Sequence, residues 1–127
     1  MTKYVLDASA LLAFLGGEPG SDKVEEVLSS ALISTVNLSE VIAKLLERGV
    51  PEDEVLRVMG YLDCEVVDFT SERAWSTARL RPLTRTQGLS LGDRACLALA
   101  IERNAPVMTT DRAWSSLGLG IEINVIR

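Results

Sequence analysis

Histidine is absent from the 127 residues. That excludes serine and cysteine triads of the usual kind, imidazole acid–base catalysis and most zinc sites. Cysteine occurs only at Cys64 and Cys96, too rarely for a disulfide framework and too far apart for a zinc motif. Both sit among apolar neighbours and read as buried reduced thiols. No run of about 18 apolar residues occurs, so no membrane span is expected. The N-terminus carries one lysine and a short apolar run already broken by Asp7, which is not a secretory signal, and the expected compartment is the cytoplasm. An excess of positive charge is missing too: 13 basic residues face 18 acidic ones, a net charge of −5. Nucleic-acid binders are usually basic, so only the distribution of charge can support such a reading. Any catalysis must run on carboxylates, hydroxyls, Lys or Arg, or on a metal held by oxygen.

What is present is ordinary for a globular chain. Hydrophobic residues make up 47% and charged residues 24%, enough apolar surface to offset chain entropy. The length predicts a single domain over 1–127. Apolar runs alternate with helical patterns, which predicts an α/β domain around a mostly parallel sheet, covered on both faces in three layers. Strands are expected at 4–6, 31–34, 65–69, 106–109 and 121–126. Helices are expected at 8–15, from Ser21 through Leu28, over Leu38 to Gly49, from Pro51 to about Tyr61, from Thr70-Ser71 through about Leu80, and from Leu91 to about Asn104. A short helix follows Asp111. Leu38, Val41, Ile42, Leu45 and Leu46 mark one apolar helical face. Residues 81–90 read as a loop containing Pro82 and Gly88.

Four acids share one kind of position. Asp7 follows the first strand and Asp111 the fourth. Glu40 is expected in the first turn of the helix after the second strand, and Asp93 in the first turn after Ser90. In a parallel sheet the strand C-termini and the following helix N-termini share one edge, where ligands bind. Asp7, Glu40 and Asp111 are therefore expected at one mouth, with Asp93 joining them if its helix points the same way. Each acid taken singly is better explained as a cap: Asn37-x-x-Glu40 and Ser90-x-x-Asp93 both look like capping boxes. Taken together they are not, because a close pair of like charges costs on the order of a few kcal/mol at partial burial and caps have no need to converge. A hard divalent cation, Mg²⁺ or Mn²⁺, would offset the repulsion. Ser9 and Thr109 are placed to orient a carboxylate, or simply to cap a helix and favour a strand.

The segments Val5-Leu6-Asp7-Ala8-Ser9-Ala10, Asn37-Leu38-Ser39-Glu40-Val41, Leu89-Ser90-Leu91-Gly92-Asp93-Arg94-Ala95 and Thr109-Thr110-Asp111-Arg112-Ala113-Trp114 occur in that order. Together they resemble PIN-domain ribonucleases, and within them the VapC toxins of VapBC toxin–antitoxin pairs, over essentially the whole chain. The resemblance implies a three-layer α/β/α PIN-like fold and a Mg²⁺- or Mn²⁺-dependent endoribonuclease. It implies metal-ligand roles for Asp7, Glu40, Asp93 and Asp111, with Ser9 and Thr109 as supporting hydroxyls. It also implies a homodimer and an antitoxin whose C-terminal segment occupies the groove. Some members carry a further acid two residues past the last Asp; Ala113 stands there, which puts a second metal in doubt.

With the four proposed ligands set aside, the remainder is close to neutral. Arg73, Arg79, Arg81 and Arg85 fall in a segment, 73–88, that has no acid. It reads either as a solvated face or as a phosphate-contacting rim for RNA, led by Arg81 and Arg85, with Arg94 and Arg112 beside two of the acids. Trp75 and Trp114 are expected to pack rather than stack on bases. Val55, Leu56, Met59 and Leu62 are expected in the core, the alternative being a dimer or antitoxin surface. Three readings compete: a phospho-receiver labelled at Asp68, a phosphatase with an Asp nucleophile, and a catalytically silent PIN-like interaction module. The first lacks a second acid after the first strand. The second would want an acid where Ser9 stands.

Overall fold

Five short β-prone runs line up side by side in the computed structural model, which describes residues 2–127. They are β1 (Tyr4–Leu6), β2 (Ala31–Ser34), β3 (Glu65–Val67), β4 (Val107–Thr109) and β5 (Ile123–Val125). Every pairing is parallel, and the order across the sheet is β3-β2-β1-β4-β5. Parallel neighbours need crossover connections, and six α-helices supply most of them: α1 (Ala8–Leu15), α2 (Ser21–Val27), α3 (Thr35–Glu47), α4 (Glu52–Gly60), α5 (Ser71–Leu83) and α6 (Leu91–Arg103).

Alternation along the strands builds two cores. Val5, Leu32 and Val107 face one way, onto Leu80 of α5, Cys96 and Leu97 of α6, and Trp114. Leu6, Ile33 and Met108 face the other way, onto Ala10 and Leu11 of α1, Val24 of α2 and Val41 of α3. The result is the expected three-layer α/β/α arrangement, with the sheet in the middle. Leu32 and Leu97 are fully buried, and truncating either to Ala is expected to cost about 2–5 kcal/mol.

The strand order matters most for function. The chain runs outward from β1 through β2 to β3, then returns to lay β4 on the opposite side of β1. Connections leaving β1 and β4 therefore diverge, which opens a crevice at their C-terminal ends, where doubly wound folds bind ligands.

Three local expectations are corrected. α3 begins at Thr35, not near Leu38, because the Ser34 hydroxyl accepts the Val36 N–H at 3.2 Å and caps the helix directly off β2. α5 continues past Leu80 and through Pro82 to Leu83. Its last turn survives because the N–H of Thr84 donates to Leu80 O at 3.0 Å and its hydroxyl donates to the same carbonyl at 2.7 Å. Trp75 is 68% exposed instead of packed. It lies on the side of α5 away from buried Thr77 and Leu80, with the Arg79 guanidinium 5.9 Å from its ring. Trp114, by contrast, is buried as expected. The α4 expectation divides: Val55 is buried, Met59 and Leu62 pack partly against the core, and Leu56 is 68% exposed.

Candidate metal centre

Asp7 ends β1 and caps α1 through its side chain, whose Oδ1 accepts the Ala10 N–H at 2.8 Å. Two hydroxyls hold the carboxylate from either side. Ser9 donates to Oδ1 at 2.7 Å and Thr109 donates to Oδ2 at 2.6 Å, the latter crossing from β4 to β1. Each hydroxyl in turn accepts a backbone N–H, Ser9 from Thr110 and Thr109 from Asp111, both at 3.0 Å. With their acceptor sides engaged, both hydroxyl protons are directed onto Asp7. Burial pushes the Asp7 carboxyl above its ordinary pKa; the bonds from Thr109, Ser9 and Ala10 pull it down, and the charge on Asp93 pushes it up further.

Asp93 belongs to a complete capping box at the start of α6. Its Oδ2 accepts the Ser90 N–H at 2.9 Å, and its own N–H donates to Ser90 Oγ at 3.1 Å. Asp111 caps the 3-10 turn Arg112–Ser116, its Oδ1 accepting the Ala113 N–H at 3.0 Å. For these two, and for Asp7, the capping interpretation is correct and coexists with convergence.

Glu40 differs. The helix cap is Ser34, so Glu40 stands in the second turn of α3, beyond the orphan N–H groups that an acid could satisfy. The expected Asn37–Glu40 capping box does not form. Instead buried Asn37 donates from Nδ2 to Glu40 Oε1 at 3.0 Å and to the Gly92 carbonyl of α6 at 2.9 Å. Its Oδ1 is buried without a partner among the described residues. Leaving such an acceptor unpaired costs about 1–3 kcal/mol.

All four acids line one open cleft of about 470 Å³, together with Ser9, Asn37 and Lys44. It lies at the divergence of β1 and β4. Thr109 stands behind it, fully buried, bound to Asp7. Among the described residues Glu40 Oε2, Asp93 Oδ1 and Asp111 Oδ2 accept no protein hydrogen bond. No group of three or more His, Cys, Asp or Glu is drawn tightly enough together to hold a metal ion as the side chains stand, again among the described residues. Four like charges sharing a cleft keep apart unless a cation is between them. The donor set is entirely oxygen, which suits Mg²⁺ or Mn²⁺ and no soft ion. Cys96, the nearest thiol-bearing residue on α6, is fully buried, and burial plus the charges of Asp7, Asp93 and Glu40 push its pKa well up, so it remains a neutral thiol.

The arginines fare less evenly. Arg81, Arg85, Arg94 and Arg112 all lie outside the cleft wall, whose one cation among the described residues is Lys44. Arg81 and Arg85 are exposed. Arg94 has a buried Nε without a partner among the described residues. Arg112 donates from Nε to Arg127 O at 3.1 Å. Arg73 is committed to Glu102, with Nε and Nη2 at 3.1 and 3.0 Å, and to Asp68 O at 2.8 Å. Sequence reasoning missed Lys44 as a wall residue and Asn37 as a bridge. Lys44 follows Glu40 by one helical turn, a spacing that places both on one face and was available to be read.

The PIN-domain family profile matches residues 4–119. The chain belongs to the PIN-domain family. Among solved structures it is similar to a chain of the DNA-bound VapBC of Salmonella typhimurium, with TM-score 0.76, 23% identity and 98% of each chain covered. A toxin–antitoxin complex from Klebsiella pneumoniae gives TM-score 0.74 at 17% identity, again over 98% of both chains. VapBC-5 of Mycobacterium tuberculosis gives TM-score 0.63 at 23% identity, covering 100% of this chain and 99% of that one. No curated protein matches by sequence.

Proposed function

We propose that the chain is a Mg²⁺- or Mn²⁺-dependent endoribonuclease, and that it serves as the toxin of a VapBC-type pair. One observation carries the reading: four carboxylates from four separate segments line a single cleft at the switch point of a parallel sheet. Asp7, Glu40, Asp93 and Asp111 are assigned as the metal ligands and catalytic acids. When bound, the cation supplies Lewis-acid polarisation of the scissile phosphate and acidifies an attacking water. Asp7, held rigidly by Ser9 and Thr109, gives a fixed anionic anchor. Glu40, Asp93 and Asp111 each offer one unshared oxygen. One of the carboxylates takes the proton of the attacking water, the new O–P bond forms, and the P–O3′ bond breaks as the departing 3′-oxygen takes a proton from solvent. The products are then a 5′-phosphate and a 3′-hydroxyl. Lys44 in the wall supplies a cationic contact to the RNA backbone, and Arg81, Arg85, Arg94 and Arg112, outside the wall, are assigned as further ones.

The remaining assignments follow the same reading. The acidic cleft suits a basic side chain on the C-terminal segment of an antitoxin. Leu46, Leu56 and Tyr61, exposed on and beside α3 and α4, fit a chain that works as a homodimer. We assign residues 1–127 to one domain acting in the cytoplasm; no helix among the described residues is long and apolar enough to cross a membrane. No observation favours a phospho-receiver, since Asp68 lies outside the cleft and beside β3, an edge strand.

The test is cleavage of RNA by the purified chain in EDTA and after Mn²⁺ is restored, with the ends mapped. Cleavage restored by Mn²⁺ and leaving 5′-phosphates is the expected result. A 2′,3′-cyclic phosphate, or activity indifferent to EDTA, refutes the assignment.

A further inference from the structure

We propose that Asn37 is a positioning residue for the metal site. It clamps the Glu40 carboxylate against the first turn of α6, where Gly92 leaves the space it needs. The inference rests on the metal-site reading above and names a residue outside the four acids. Glu40 is exposed and sits on a flexible side chain. Its sole donor among the described residues is Asn37 Nδ2, at 3.0 Å. The same amino group donates to Gly92 O at 2.9 Å, so two acceptors on two helices determine which way the amide faces. Asn37 is 1% exposed and has no freedom to turn away. A Cβ built on Gly92 would collide with the Glu40 carboxylate, which therefore lies directly on the α6 backbone next to Asp93. The clamp sets two acids from different helices in register at one mouth. Hydrogen-bonded partners of this kind govern ligand orientation, and losing them typically weakens metal affinity 10–100-fold.

A purely structural Asn37 would merely join α3 to α6 through Gly92 O. The two roles separate in a double-mutant cycle, because Glu40→Ala removes the carboxylate and leaves the helix–helix bond intact. Mn²⁺ alone is titrated calorimetrically into the full chain, with melting in EDTA to monitor folding. Asn37→Leu is expected to weaken Mn²⁺ binding roughly 10–100-fold in the parent and less than about twofold in the Glu40→Ala background. Equal weakening in both backgrounds, or none in the parent, overturns the inference. Should Asn37→Leu melt below the working temperature, Asn37→Ala takes its place under the same criteria, since it removes the donating amide without adding bulk between α3 and α6. If Glu40→Ala binds Mn²⁺ as tightly as the parent, Glu40 is no ligand, and the metal-site assignment fails together with this one.

Discussion

Replacing Asp7 with Asn separates what this residue does for the fold from what it does for a metal. Asp7 is 6% exposed, and burial raises its pKa despite three hydrogen bonds. A raised value means that the folded chain holds the proton more tightly than the unfolded chain does. Stability from this group is therefore fully present below its unfolded pKa and is lost as pH rises through the folded one. At neutral pH the charge is a burden on the metal-free protein. Asn removes that burden and keeps an oxygen for the bonds from Ser9 and Ala10, but it turns an amino group toward Thr109 Oγ1, whose bond to Oδ2 is lost. One neutral hydrogen bond is worth about 1 kcal/mol, so in EDTA Asp7→Asn is expected within about 1 kcal/mol of the parent. Its melting temperature should also vary less with pH over the acidic range. Mn²⁺ reverses the comparison. At a hundred times Kd it stabilises the parent by about 2.7 kcal/mol, which for a domain of this size raises Tm on the order of 10 °C. A variant binding a hundredfold more weakly gains only about 0.4 kcal/mol at the same concentration. Scanning fluorimetry across pH, in EDTA and in Mn²⁺, reads both effects. A variant that is several kcal/mol less stable in EDTA yet shifted by Mn²⁺ like the parent would show Asp7 to be only a cap, and would refute the reasoning.

Four further outcomes are expected. Thr109→Val leaves Asp7 Oδ2 without its donor and the Asp111 N–H without its acceptor, and chemical denaturation should show a loss of about 1–3 kcal/mol for each buried group stranded. Asp93→Asn keeps an oxygen for the Ser90 N–H, so its unfolding free energy should move by less than about 1 kcal/mol while gel assays show RNA cleavage abolished. Arg81→Ala with Arg85→Ala should flatten the salt dependence of RNA binding by about 0.7 for each phosphate no longer neutralised. Arg73→Ala, whose side chain is held by Glu102, should leave that slope unchanged.

The fold class was legible because its signals are local. Tyr4-Val5-Leu6, Ala31-Leu32-Ile33 and Pro106-Val107-Met108 are short apolar runs bounded by caps, and caps such as Thr70 and Ser90 announce their helices within three residues. Boundaries failed where a buried residue with a short-range bond carries the helix past its expected limit. Ser34 belongs to a fully buried strand and still caps α3. Pro82 would end a helix in isolation, yet buried Thr84 closes the turn beyond it. Trp75 went astray because an aromatic residue in an amphipathic helix carries no mark of which face will be covered.

Sequence alone narrowed the kind of chemistry available: no histidine, two isolated cysteines, and four acids at strand ends or in early helical turns point to an oxygen-bound divalent metal. Only the tertiary structure decided that these acids share one cleft, because that depends on β4 returning to lie beside β1, a pairing between segments about a hundred residues apart. It also decided that Asn37 reaches α6 instead of capping its own helix. A hydrogen bond between two helix starts exists only once the sheet has brought those starts to the same edge.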